Sequence, residues 1–150
     1  MAQPVNERVL VVDGDARVRA ALAALIDTTP GLQVAATTGS AAAAGALGRL
    51  VGATVAVVDV DADQTDDNLA TIHELAEQLP VIAVCDATAG GIRALEAGAT
   101  AVCDKNGDPD ALTAAVAAAA RCHRRRARAT ADVRPGDTSP DTTTHSARPR

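Results

Sequence analysis

Short runs of apolar residues alternate along the chain with segments in which apolar residues recur at helical spacing. The runs have the length and composition of buried strands and cover residues 9–12, 32–36, 55–58, 81–84 and 101–103. A helical pattern follows each run. This alternation predicts five parallel strands with right-handed crossovers, covered by helices on both faces of one sheet.

The predicted helices have recognisable ends. Ser40 is the predicted N-cap of an alanine-rich helix that runs to about residue 51. A short helix, broken by glycines, is predicted over residues 92–97, and Gly98 after it suits a left-handed cap. Asp108 followed by Pro109 predicts the N-cap and first position of the last helix.

The composition divides the chain into three parts. Residues 7–120 form one predicted domain, residues 1–6 a flexible N terminus, and residues 121–150 a basic helix extension followed by a disordered tail. Residues 1–120 carry 6 basic and 16 acidic side chains, a net charge of −10, whereas residues 121–150 carry 8 and 3, a net charge of +5. We interpret the arginine-rich stretch 121–128 as a solvated helix end, with binding to an acidic partner as the alternative.

Several classes of protein are disfavoured by the same composition. The chain has no Phe, Tyr or Trp, so it cannot stack on nucleic-acid bases, and an acidic globule is not typical of a DNA-binding domain. The three cysteines form no C-x-x-C pair and are interpreted as reduced thiols. Without a signal peptide or an apolar span of membrane length, we expect a cytoplasmic protein with no membrane partner.

Three charged residues directly follow predicted strands. Asp13 follows the first strand, Asp59 the third, and Lys105, the only lysine of the chain, comes just after the fifth. Because the carboxyl ends of parallel strands share one edge, two carboxylates and an ammonium should converge there. Such a set suits a divalent metal and a phosphoryl group.

The order of these motifs resembles the receiver domain of bacterial response regulators, of the CheY-like superfamily. The resemblance covers residues 7–120 and rests on V-L-V-V-D, V-A-V-V-D, P-V-I-A-V and A-L-E-A-G-A-T-A-V-C-D-K. It implies a flavodoxin-like three-layer α/β sandwich with a five-stranded parallel sheet in the order 2-1-3-4-5 and five helices. The first and third strands would then be neighbours.

The same resemblance implies a phosphorelay function. Asp59 would accept a phosphoryl group from a histidine kinase or phosphotransfer protein, and Lys105 would contact the phosphoryl oxygens. Mg²⁺ would be held by Asp13, Asp59 and the backbone carbonyl of Asp61. Output would pass to an unknown downstream protein through the face formed by the fourth and fifth strands and the flanking helices.

Three positions depart from the family pattern. Gly14 stands where a second metal-binding acid is usual, and Asp15 is either a substitute metal ligand or the cap of the first helix, so weak Mg²⁺ binding is expected. Cys85 replaces the Thr or Ser that contacts the phosphoryl group, and a thiol is a weak donor. Val102 replaces the aromatic residue at the switch position, which implies that the usual switch is absent.

Two further features have a plain and a functional interpretation. The acidic segment 60–67 lacks the usual Pro and Gly; it could supply extra metal ligands, but we predict an exposed solvated loop. Cys85 and Cys103 lie near the ends of adjacent predicted strands. A redox pair is conceivable there, but two buried apolar residues are favoured.

Three functions remain open from the sequence. The favoured one is a receiver module without an output domain, a signalling protein rather than a turnover enzyme. The second is a pseudo-receiver that binds partners independently of phosphorylation. The third, least favoured, is a haloacid-dehalogenase-type phosphatase, suggested by Asp13-Gly14-Asp15 after a strand.

Overall fold

A computed structural model describes residues 5–60, 65–86 and 88–133. The strands are β1 (Glu7–Val12), β2 (Leu32–Thr38), β3 (Val55–Val60), β4 (Val81–Cys85) and β5 (Ala101–Asp104). The helices are α1 (Ala16–Asp27), α2 (Ala41–Val51), α3 (Thr65–Ala76), α4 (Thr88–Ala97) and α5 (Pro109–Asp132). All pairings are parallel and the strand order is β2-β1-β3-β4-β5. The predicted flavodoxin-like α/β fold is confirmed.

The core lies on both faces of the sheet, which is why the central strands are apolar at successive positions. One face packs against α2, α3 and α4 and includes Leu10, Val58 and Ile72. The other packs against α1 and α5 and includes Val11 and Val57. Neighbouring residues of one strand therefore face different helix layers, as the pleat requires.

Strand and helix ends agree with the sequence signals in several places. Ser40 caps α2 through a bond from the backbone N–H of Ala43, 3.3 Å long, and Asp108 caps α5 with Pro109 in its first turn. Gly98 has a φ of +115°, which suits glycine at the end of α4. β1 begins two residues earlier than predicted, and β3 continues through Asp59 to Val60.

The predicted acidic loop 60–67 is wrong at both ends. Val60 is a buried strand residue, while Asp66 and Asp67 belong to the first turn of α3. Carboxylates are favourable there because they face the positive end of the helix dipole. Residues 61–64, including the predicted ligand Asp61, lie outside the described residues, as do residues 1–4 and the tail from residue 134.

α4 is longer than predicted and includes both of its glycines. A Cβ atom added to Gly91 would lie 3.0 Å from Cγ1 of Val102 and 3.5 Å from Sγ of Cys85. The glycine lets α4 approach the sheet closely, so burial outweighs its low helix propensity.

The arginine-rich stretch is part of α5, and one of its side chains has a structural role that the sequence did not reveal. Glu7, at the start of β1, is buried, and its Oε1 lies 2.7 Å from Nη2 of Arg124. Its Oε2 accepts a 3.0 Å hydrogen bond from the Thr54 hydroxyl. This ion pair attaches the helix extension to the amino-terminal edge of the sheet.

We expect Arg124→Ala to lower the free energy of unfolding by about 2 kcal/mol, because it leaves the buried Glu7 carboxylate uncompensated. The change is measured by urea denaturation followed by circular dichroism, because a chain without aromatic residues has no intrinsic fluorescence to follow. The control Arg126→Ala should change stability by less than about 0.5 kcal/mol. Equal effects of the two variants would contradict a stabilising role for the pair.

Candidate functional site

Asp13 and Asp59 lie side by side at the carboxyl edge of the sheet. β1 and β3 are paired up to Val12 with Val58, so Asp13 and Asp59 are the next positions in the same register. Both side chains are buried, with exposed fractions of 2% and 5%. The strand order alone therefore brings together two carboxylates that are 46 residues apart in sequence.

Lys105 forms an ion pair with Asp59. Its Nζ atom lies 2.5 Å from Asp59 Oδ1, and its side chain is 21% exposed. Partial burial alone would lower the pKa of Lys105, but the hydrogen bond to Asp59 and the charges of Asp59, Asp86 and Asp13 outweigh it and raise the pKa above 10.5. The ammonium is therefore charged at neutral pH and neutralises part of this edge.

Asp13 has one bonded and one unbonded carboxylate oxygen. The backbone N–H of Asp15 donates a 2.8 Å hydrogen bond to Oδ1, while the buried Oδ2 has no hydrogen-bond partner among the described residues. Burial raises the pKa of Asp13 above its ordinary value near 3.8, although this hydrogen bond and the Lys105 charge oppose the rise. An additional cation would compensate the ionised form.

Asp15 is the N-cap of α1, one of the two roles proposed from the sequence. Its Oδ1 accepts from the backbone N–H groups of Arg17 and Val18, at 2.8 and 3.3 Å, and these bonds hold its pKa below the ordinary range. Because α1 begins directly after Asp15, no inserted flap separates the strand from the helix. This arrangement gives no support to the phosphatase interpretation.

Gly14 leaves its side of the site open. A Cβ atom added there would meet nothing within 4 Å, and φ of Gly14 is not in the left-handed region. The backbone could therefore carry a side chain at this position, so glycine is not needed here for its conformation.

Cys85 lies at the same edge and Val102 lies two residues before the end of β5, and both belong to the face covered by α4. Both contribute to the cluster under α2, α3 and α4, whereas Cys103 contributes to the opposite cluster. Since Cys85 and Cys103 face different sides of the sheet, the arrangement favours two separate thiols over a redox pair. Burial raises the pKa of Cys103, which also disfavours a reactive thiolate.

A shallow apolar groove lies along α4 and β5. Its volume is about 310 Å³, and its lining includes Val102, Ile92 and Leu95. Ile92 and Leu95 are large apolar residues with exposed fractions of 54% and 49%. A small residue at position 102 leaves this groove unfilled.

Arg19 is a residue of the site that sequence analysis missed. Its Nη1 donates a 2.6 Å hydrogen bond to the backbone carbonyl of Asp13, and its charge favours ionised Asp13. Gly39 makes space for the guanidinium group, since a Cβ atom there would lie 2.8 Å from Nη1. The only signal in the sequence was the position of this arginine, six residues after Asp13 in the first predicted helix.

Comparison with known proteins identifies the fold of the chain but finds no close relative. No protein-family model matches the chain, and no curated protein matches it. Among solved structures, it is similar to the signal receiver domain of a modulated diguanylate cyclase from Desulfovibrio desulfuricans G20, with a TM-score of 0.70 and 19% identity. That match covers 81% of this chain and 98% of the other.

Two other solved structures give the same result. A two-component response regulator of the LuxR family from Aurantimonas sp. SI85-9A1 has a TM-score of 0.70 and 23% identity, covering 85% of this chain and 96% of the other. The response regulator domain of CheB from Thermotoga maritima has a TM-score of 0.60 and 24% identity, covering 87% and 99%.

The chain therefore has the fold of CheY-like response regulator receiver domains. In the diguanylate cyclase and CheB, the part that the chain resembles is the receiver or response regulator domain. In the part of the chain that the structure describes, no helix is long and apolar enough to cross a membrane.

We expect Asp13→Asn to raise the free energy of unfolding in metal-free buffer at pH 7 by about 1 kcal/mol, since it removes a buried, incompletely bonded charge. Because folding raises the pKa of Asp13, ionisation lowers the stability of the wild type as pH rises above 3.8. The advantage of the variant should therefore be full above the folded-state pKa and vanish below pH 3.8.

Urea denaturation at a series of pH values measures this difference. Asp110→Asn, a change at an exposed acid of α5, is the control and should show no comparable gain. A destabilised Asp13→Asn variant at neutral pH would contradict the explanation.

Proposed function

We propose that this chain is a receiver module of a two-component phosphorelay that accepts a phosphoryl group on Asp59. The observation that carries the proposal is the buried Asp59 carboxylate, in ion-pair contact with the only lysine of the chain and next to Asp13 in the strand register. The receiver fold supports the same function, because it places these residues where open α/β sheets bind ligands.

The transfer would use the Asp59 carboxylate as nucleophile. One of its oxygens attacks phosphorus of a phosphohistidine, the phosphorus–nitrogen bond breaks, and the histidine keeps the electron pair. The product is an acyl phosphate. Lys105, now paired with Asp59, has a flexible stem and could move its ammonium to a phosphoryl oxygen, which offsets the charge gained.

The residues at this edge fit a weakly held Mg²⁺. This ion commonly uses one or two carboxylates, with phosphate and water completing its shell. Asp13, with its unbonded buried Oδ2, and Asp59 would hold it, with the carbonyl of Asp61 as a further ligand that lies outside the described residues. When bound, the ion would neutralise charge on the transferring phosphoryl group.

Output would pass to a partner protein through the α4–β5 groove. Exposed Ile92 and Leu95 offer apolar contact there, and Asp86 and Asp104 supply a charged rim. Cys85, at the end of β4, lines the same groove. We propose that its thiol also contacts the phosphoryl group on Asp59. With Val102 in place of an aromatic ring, output would not use the family's usual switch.

A pseudo-receiver that ignores phosphorylation is the second candidate. Gly14 favours it, because the open space beside Asp13 lacks the second carboxylate that would strengthen metal binding. Under this alternative the Asp59–Lys105 pair is purely structural, and the groove alone carries the function.

We expect acetyl phosphate with Mg²⁺ to add one phosphoryl group to the wild type and none to Asp59→Asn, because only the carboxylate can form an acyl phosphate. Intact-mass spectrometry measures the gain. Asp86→Asn makes the same chemical change at an exposed neighbouring acid and should leave the modification in place. A wild type that stays unmodified at saturating reagent would favour the pseudo-receiver.

We expect Gly14→Asp to increase Mg²⁺ affinity by about tenfold, because it places a second carboxylate in open space beside Asp13. Calorimetric titration with Mg²⁺ measures the affinity. Gly14→Asn, which has the same size without the charge, is the control and should give a much smaller gain. Equal gains from both variants would show that position 14 does not contribute a metal-binding charge.

A further inference from the structure

The second half of α5 carries a row of arginines on one face. Arg121, Arg124, Arg125 and Arg128 follow the i, i+3, i+4, i+7 spacing and, with Val5, line a groove of about 350 Å³. We call these four residues the arginine row. Arg126 lies on another face of the helix and lines a different cavity, next to Pro80 and Thr100.

The arginine row is poorly neutralised within the chain. Its one ion pair among the described residues joins Arg124 to Glu7, which is buried beneath the helix. Asp132 is the only acid in α5 after Asp110. Two like-charged pairs at i, i+4 spacing, Arg121 with Arg125 and Arg124 with Arg128, repel each other and destabilise an isolated helix.

Packing does not compensate for this repulsion. The buried residues of α5 end at Ala120, although the helix continues through Asp132, about 18 Å further along its axis. Most helical stability in proteins comes from a packed apolar face, which this segment lacks. A row of like charges held on an anchored helix is what a binding surface for negative charge requires.

We propose that the arginine row binds an acidic segment of a partner protein. Arginine forks match carboxylates in pairs, and Val5, 67% exposed beside the groove, adds an apolar contact for such a segment. An extended polyanion such as DNA or an anionic membrane would also face residues 1–120, whose net charge of −10 repels it, whereas a short acidic segment can contact the arginine row alone. This surface lies far from Asp59 in the fold and does not depend on the proposed phosphorylation.

The test uses the full chain and a short fluorescein-labelled peptide that repeats Glu-Glu-Leu, with a Gln-Gln-Leu repeat as neutral probe. Fluorescence anisotropy should show binding of the acidic peptide only, weakening as salt is raised. The double variant Arg125→Glu/Arg128→Glu should lower the affinity by about tenfold or more, since two attractive contacts become repulsive. It leaves the Glu7–Arg124 pair intact, and circular dichroism confirms folding.

Arg126→Glu is the matched control, because it makes the same kind of charge reversal on the same exposed helix but off the row. Relative to the wild type, Arg126→Glu should change the affinity for the acidic peptide by less than about threefold. Arg125→Glu alone should lower it by more than Arg126→Glu does. Equal losses from Arg125→Glu and Arg126→Glu would overturn the proposal, as would no binding of the acidic peptide. Tighter binding to duplex DNA or to phosphatidylserine vesicles would also overturn it.

Discussion

The ion pair between Lys105 and Asp59 is the interaction on which the carboxyl edge of the sheet depends. Acidic residues lie at or next to the carboxyl ends of β1, β3, β4 and β5, and the one lysine ammonium of the chain lies among them. A buried carboxylate without a partner would be costly, and the 2.5 Å contact to Lys105 compensates it. The edge therefore combines buried negative charge with one positive group, which is the charge pattern on which the proposed function rests.

The parallel topology creates this edge from residues that are distant in the chain. Asp13 and Asp59 meet because β3 pairs with β1 rather than with β2, and the β5–α5 loop brings Lys105 back to them. Around this set, Asp15 caps α1 and Arg19 holds the Asp13 carbonyl. The site is therefore built on strand ends and supported by hydrogen bonds from the first helix.

The opposite edge of the molecule has the reverse charge. There Glu7 at the start of β1 binds Arg124, so the basic half of α5 begins at the amino-terminal edge of the sheet. An acidic carboxyl edge and a basic helix thus lie at different ends of one small fold. The two surfaces suit different partners, and the Glu7–Arg124 pair fixes the second relative to the first.

The sequence by itself determined the five strands, the five helices, their order and the three residues Asp13, Asp59 and Lys105, because buried parallel strands appear as apolar runs and ligand residues follow their ends. Only the tertiary structure decided the role of Asp15 as a cap, the burial of Glu7 under Arg124 and the hydrogen bond from Arg19 to the Asp13 carbonyl. The bonds of Asp15 and Arg19 span only two to six residues, but the sequence left two roles open for Asp15 and gave none to Arg19. The Glu7–Arg124 pair depends on contact between elements far apart in the chain, which local patterns do not encode. The extension of α4 through Gly91 was missed for the same reason: close packing against Val102 overrides the helix propensity of glycine.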